Sequence, residues 1–266
     1  MSSFQPTAYW EERLRANFDW KGVGFTSLGR NYNRWMYWLR RKVFLRAVHS
    51  IPLKWEAARV LDIGSGTGFY VDLWKQLGAQ SVAGCDLTDF AVQRLRQTYP
   101  DEKFIQLDIG EKLTCEPPET YDAISAFDVL FHIVDDQRFA QAIANIHRLL
   151  SPGGWFLFSE LFVHEETKRW EHVVARSLDE VERTMTSVGF RIVSRKPAFA
   201  LMNQPLDSRN RPYVFLWRVF SRVIQTSDFV GYLAGACLSP LDLYLTRVMR
   251  ESPTTEIMIC RKADGG

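Results

Sequence analysis

A glycine-spaced segment, Val60-Leu61-Asp62-Ile63-Gly64-Ser65-Gly66-Thr67-Gly68, is the sharpest chemical signal in the chain. Gly64, Gly66 and Gly68 let a backbone turn tightly and approach a ligand with no Cβ in the way. Helical spacing follows, and a helix N-terminus offers free N–H groups to a carboxylate or other anion. Asp86 ends the next apolar run, about 20 residues on, where an acid reaches the two hydroxyls of a bound ribose. Asp108 ends the run after that. An acid there can accept from an exocyclic amine such as that of adenine, with Leu87 and Ile109 flanking the ring. Taken singly, each acid reads as a helix cap or a loop acid. Acids at three successive strand ends mark the edge where open α/β sheets bind ligands.

Proton chemistry points to His132, in Asp128-Val129-Leu130-Phe131-His132. Its ordinary pKa near ~6.5 suits proton removal at neutral pH. The competing reading is a structural histidine that holds its loop through a backbone bond. His164 and His172 follow a later strand and read first as surface histidines that could also reach the site. Glu160, His164 and Glu165 are too few and too unpaired for a metal site, so none is expected. Cys85, Cys115, Cys237 and Cys260 are scattered with no CxxC pair, as in a cytoplasmic protein with reduced thiols.

The elements that must carry these residues alternate. Arg59–Ile63, Ser81–Cys85, Lys103–Leu107, Tyr121–Phe127 and Trp155–Ser159 read as strands. Phe69–Leu77, Asp89–Thr98 and Gln137–Leu150 read as helices between them, the last stopped by Ser151-Pro152-Gly153-Gly154. Such alternation implies right-handed βαβ units and a parallel sheet covered on both faces. Ser177-x-x-Glu180 fits a capping box opening a helix that Gly189 ends. Arg191–Ser194 and Glu256–Cys260 supply a sixth and a seventh strand.

Asp62-x-Gly64-x-Gly66-x-Gly68, Gly84-Cys85-Asp86-Leu87, Asp108-Ile109, Tyr121-Asp122-Ala123-Ile124 and Leu150-Ser151-Pro152-Gly153-Gly154 resemble the ordered motifs of class I S-adenosylmethionine-dependent methyltransferases. The resemblance covers about residues 56–196 and the last strand. It implies a Rossmann-like doubly wound α/β sheet of order 3-2-1-4-5-7-6 with strand 7 antiparallel. It also implies S-adenosyl-L-methionine as cofactor and S-adenosyl-L-homocysteine as product. Asp62 would sit near the methionine amine, and Gly64, Ser65, Gly66 and Gly68 under the methionine portion. Asp86 would hold the ribose, Asp108 would lie near the adenine, and Phe127 and Asp128 would face the cofactor from the substrate side. A nicotinamide dehydrogenase fits less well: its fingerprint wants glycine at position 69, which is Phe69.

The implied organisation is an N-terminal helical lid over 1–50, a core over 51–196, a helical insertion over 197–252 and the last strand and tail over 253–266. Two strands need only a few residues between them, whereas 197–252 carries two apolar helices, Tyr213–Ile224 and Phe229–Leu245. Their apolar surface must bury against the N-terminal helices, the substrate, a second subunit or a membrane surface. The expectation is that lid and insertion meet over the strand ends, with Tyr32, Trp35, Tyr37, His164, Tyr213 and Trp217 against the substrate. Arg218, Arg222 and Arg247 read first as surface charges, and otherwise as side chains that snorkel or pair with an anionic substrate group.

The 266 residues, 46% hydrophobic and 24% charged, suit a folded globular chain rather than a disordered one. A net charge of +2 gives no electrostatic case for nucleic acid. Residues 1–15 lack a signal-peptide pattern. The charge-free stretch Phe229–Leu241 is shorter than the roughly 20 residues a bilayer needs, so no transmembrane segment is expected, though peripheral contact is open. The reading is a monomeric or homodimeric methyltransferase of a small, hydrophobic organic substrate, with oxygen favoured as the acceptor. Open alternatives are an N- or C-methyltransferase, an enzyme on lipid or quinone precursors at a membrane face, and a non-catalytic S-adenosylmethionine-binding sensor or partner subunit.

Overall fold

The computed structural model describes residues 4–114 and 119–263; Cys115 lies outside them. Helices α1 (Pro6–Ala16), α2 (Trp20–Val23) and α3 (Gly29–Val48) precede strand β1 (Arg59–Ile63). Then come α4 (Phe69–Gln76), β2 (Ser81–Asp86), α5 (Asp89–Thr98), β3 (Phe104–Gln106), β4 (Tyr121–Ala126), α6 (Asp136–Leu149) and β5 (Leu150–Glu160). A two-stranded ribbon, β6 (Lys168–Arg169) with β7 (Val174–Ala175), leads to α7 (Leu178–Val188) and β8 (Phe190–Pro197). Helices α8 (Arg211–Ile224) and α9 (Asp228–Val248) precede β9 (Glu256–Lys262).

The seven-stranded sheet has the order β3-β2-β1-β4-β5-β9-β8. β1 to β5 pair in parallel, and β9 runs antiparallel to both β5 and β8. Allowing for the small ribbon, this is the order and direction that the motif resemblance implies. The parallel strands end on one edge and deliver Asp62, Asp86 and Phe127 there. Each face is covered. Phe44, Trp74, Val92 and Leu157 belong to one core, and Phe139, Ile143, Phe156 and Met185 to the other.

Local differences have local causes. Ser151-Pro152-Gly153-Gly154 does end α6, but β5 already begins at Leu150, which pairs with Tyr121 across an irregular register before Trp155 meets Ala123. Only half of the capping box forms. Ser177 Oγ accepts from the Glu180 N–H, while the Glu180 carboxylate turns away to accept from Thr167 Oγ1. The insertion helix α9 runs past Asp242 to Val248, because that carboxylate is buried and accepts from the backbone N–H groups of Ala200, Leu201 and Met202. Its 21 residues are therefore long and apolar enough to cross a membrane by length and composition, which the 13-residue stretch ending before Asp242 is not.

Candidate functional site

The glycine turn joins β1 to α4. Gly64, Gly66 and Gly68 all have positive φ (67°, 50° and 86°), a backbone region that L side chains rarely adopt. At Gly64 a Cβ would also lie 2.3 Å from Val129 Cγ2. Asp62 stands behind the turn with almost no exposure. Its Oδ1 accepts from Ser125 Oγ at 2.6 Å, and its backbone carbonyl accepts from Ser65 Oγ. Its Oδ2 is buried with no partner. Burial pushes the Asp62 carboxyl up to about 7.

Asp86 braces the turn. Its Oδ2 accepts from the Gly66 N–H at 2.9 Å, and its Oδ1 accepts from the N–H and hydroxyl of Thr88. Asp108 accepts from the Gly110 N–H at 2.9 Å and from Arg138 Nη2 at 2.6 Å. Past β4, Asp128 has φ 58°, the one positive φ outside glycine among the described residues. The buried Arg40 guanidinium of α3 holds its Oδ2 at 2.8 Å, and Ser159 Oγ both accepts its N–H and donates to Oδ1.

These groups line one cavity of about 550 Å³, within the range of small-molecule sites. Gly64, Ser65, Gly66, Asp86, Leu87, Asp108, Ile109, Phe127, Asp128 and His132 all border it, while Asp62 and Gly68 sit behind the turn. His132 Nδ1 lies 2.8 Å from the His172 carbonyl. A carbonyl only accepts, so Nδ1 carries the proton and Nε2 keeps its lone pair. Trp10 packs edge-on to the His132 ring at 4.8 Å, and burial pushes this imidazole down to about 4.

The cavity's outer wall differs from the expected one. It comes from α1 and its neighbours through Trp10, Leu14, Val23 and Tyr37. Of the proposed substrate residues, only Tyr37 borders this cavity. Tyr32 is fully buried and donates to the Met202 carbonyl; Trp35 packs against Gly235 of α9. Trp217 is buried beside Phe220. His164 pairs with Asp207 at 2.5 Å and borders a separate, open hollow, as does Tyr213, whose hydroxyl donates to the Ala200 carbonyl. Lid and insertion do meet, through α3 and α9, but behind the site and not across its mouth. The physical reason is the apolar face of α3, which has two sides to satisfy: Phe44 goes to Trp74 and Phe127, and Tyr32 and Trp35 go to the insertion.

Sequence reasoning missed Trp10, Leu14, Arg40 and Arg138. The first two stand four residues apart on α1, whose sequence carries only a weak apolar pattern. Arg40 and Arg138 meet Asp128 and Asp108 only through the tertiary fold. Among the described residues no group of three or more His, Cys, Asp or Glu could hold a metal ion.

Residues 60–154 match the family model described as a methyltransferase domain. That span holds the glycine turn, all three strand-end acids and His132. Residues 60–154 thus carry a methyltransferase domain on a Rossmann-like fold. Structures similar to it include the N-methyltransferase NodS from Bradyrhizobium japonicum WM9 (17% identity, 97% of this chain and 99% of that one, TM-score 0.57). Magnesium protoporphyrin IX methyltransferase from Synechocystis PCC 6803 aligns over 99% of this chain and all of that one, at 13% identity and TM-score 0.57. The [4+2]-cyclase SpnF shares the fold as well, with 18% identity, 85% and 81% coverage and TM-score 0.55. Among curated relatives, the ubiquinone biosynthesis O-methyltransferase of Paracidovorax citrulli is 30% identical over 129 residues, 44% of this chain and 52% of that protein. The Bordetella pertussis protein of the same name has the same identity and coverage. The chain thus spans about half the length of the curated relatives it matches.

Proposed function

We propose that this protein is an S-adenosylmethionine-dependent methyltransferase that methylates an oxygen of a small organic molecule. The observation that carries the reading is the single cavity shared by the glycine turn, Asp86, Asp108 and the free Nε2 of His132. The residues present suit the cofactor. Gly64, Ser65 and Gly66 border the cavity with their backbone turn, Asp62 Oδ2 is a buried carboxylate oxygen without a partner, and Asp86 and Asp108 edge the cavity at successive strand ends. Gly64, Ser65, Gly66, Asp86, Leu87, Asp108, Ile109 and Phe127 would hold it, with Asp62 and Gly68 shaping the turn from behind. Bound there, S-adenosylmethionine supplies the activated methyl group.

The protein's own part is to orient the acceptor and keep water out. Trp10, Leu14 and Tyr37 exclude water from the outer wall. His132 is neutral at pH 7, and its Nε2 accepts a hydrogen bond from the acceptor hydroxyl. A base with a pKa of about 4 does not strip a free hydroxyl. It can take the proton once the oxygen gains positive character during transfer, when that proton becomes strongly acidic. The name shared by the curated relatives supports oxygen over nitrogen.

A fold shared with a cyclase does not fix the reaction, so the test is turnover. Purified protein with methyl-labelled cofactor should label phenols and catechols in preference to amines. Asp86→Ala should weaken S-adenosylhomocysteine binding by roughly 10- to 150-fold in calorimetry, the loss of charge-assisted bonds of ~1.5–3 kcal/mol. His132→Gln should lower kcat by ~10²–10⁴-fold with product affinity retained. Tight product binding without transfer to any acceptor would make the protein a sensor or partner subunit instead.

A further inference from the structure

We propose that the outward faces of α8 and α9 dock in the plane of an anionic lipid surface. The inference stands apart from the reaction, since neither helix lines the cavity.

Helix α9 is built inside out. Gly231, Gly235, Ser239, Asp242 and Thr246 form its buried side. At Gly235 a Cβ would come within 2.5 Å of Trp35 Cδ1, so the small residues let α9 lie close on α3. Its outward side holds Phe229, Leu233, Leu241, Tyr244 and Val248, with Phe229 68% and Tyr244 61% exposed. A helix on a globular protein in water normally has the reverse polarity. Nor is α9 a core helix, because only 28% of its most apolar window is buried.

Helix α8 shares the outward half of this pattern. Trp217 and Ile224 point inward, and Phe215, Leu216, Val219 and Val223 point outward. At about 100° per residue, Arg211, Arg218 and Arg222 fall together along one edge of that apolar face. All three are exposed. The other arginines of residues 209–250 are Arg247, Arg250 and Arg209, all exposed, the last paired with Glu165. Only two acids stand in the same segment. Asp242 is buried on backbone amides, and Asp228 is tied to the Arg30 N–H at the start of α9. The exposed charge is thus almost wholly positive.

An apolar face edged by long guanidinium side chains suits the boundary between acyl chains and anionic headgroups. A second copy of this chain suits the face less well. A two-fold contact would set the same arginine-edged surface against itself, and like charges oppose across an interface.

The test is co-sedimentation of the full chain with phosphatidylcholine vesicles, with and without phosphatidylglycerol. We expect at least about tenfold tighter binding when phosphatidylglycerol is present, weakened by salt. The exposed triple variant Phe215→Ser/Phe229→Ser/Tyr244→Ser should lose vesicle binding while keeping its circular dichroism and melting temperature. Arg218→Glu/Arg222→Glu should keep residual binding but lose the preference for phosphatidylglycerol. Folded wild-type protein that ignores phosphatidylglycerol vesicles would overturn the proposal. So would binding untouched by either variant, or a dimer in sedimentation equilibrium that the triple variant dissociates while lipid has no effect.

Discussion

Two carboxyls and one imidazole are kept from water in and beside the cavity, and their pH dependences have opposite signs. Glu160 ends β5 fully buried; its Oε1 accepts from the Leu161 N–H and its Oε2 has no partner. Burial pushes this carboxyl up to about 8, as it pushes Asp62 up to about 7. A carboxyl raised in the fold gives its full stabilisation below the unfolded value near ~4.3, and the gain is lost as pH rises through the folded value. Glu160→Gln removes that loss. Its stability relative to wild type should therefore rise by roughly 2–3 kcal/mol between pH 6 and pH 9, read as a melting-temperature difference that grows by roughly 4–12 °C. An equal difference at both pH values would mean that Glu160 does not titrate in this range. His132 runs the other way. With its folded pKa down at about 4, its contribution is complete above ~6.5 and is lost as pH falls from there toward 4. A rate profile governed by His132 should therefore show no limb near pH 6.5.

At the scale of elements, α1 is the segment that closes the site. Trp10 covers His132, while Tyr9 and Phe4 pack on the ring of His172, whose carbonyl fixes the His132 tautomer. Because burial is the first cause of the low His132 pKa, Trp10→Ala should move it from about 4 toward ~6.5. Titration of the imidazole proton resonance by NMR reads this directly; an unmoved value would assign the burial to Phe131 and the ribbon instead. Much of this scale is legible in the sequence. The glycine turn, Asp86, Asp108 and His132 sit where strand ends must place them, because a parallel sheet gives each strand end one address. The flanking helices have no such rule. Tyr32, Trp35 and Trp217 declare only that they need burial, and several neighbours could meet that need; α9 against α3 met it, so they left the cavity. Trp10 took the place by the cavity on a helix whose weak apolar pattern gave little notice.

For the molecule as a whole, one buried charge ties α9 back to the segment that leaves β8. Asp242 accepts from three consecutive backbone amides, Ala200 to Met202, directly after β8. Asp242→Asn keeps the shape and removes the charge on those bonds. Each charge-assisted bond is worth ~1.5–3 kcal/mol, and an amide oxygen still accepts in part, so a net loss of about 2–3 kcal/mol is expected, read as a melting-temperature drop of roughly 4–12 °C. A drop below about 2 °C would mean that the small-residue contact with α3 is sufficient to hold the insertion.

The position of β9 also sets a clock. It lies between β5 and β8, yet it leaves the ribosome after both, with residues 198–255 between β8 and itself. At ~5–20 residues per second that delay is roughly 3–12 s. Through it, β5 and β8 each present an unpaired row of backbone donors and acceptors, the kind of edge that recruits other chains. The newborn chain is therefore most open to aggregation and to chaperone capture in the seconds between the emergence of β8 and that of β9, when its ligand-binding half has already emerged and its sheet still has a gap in the middle.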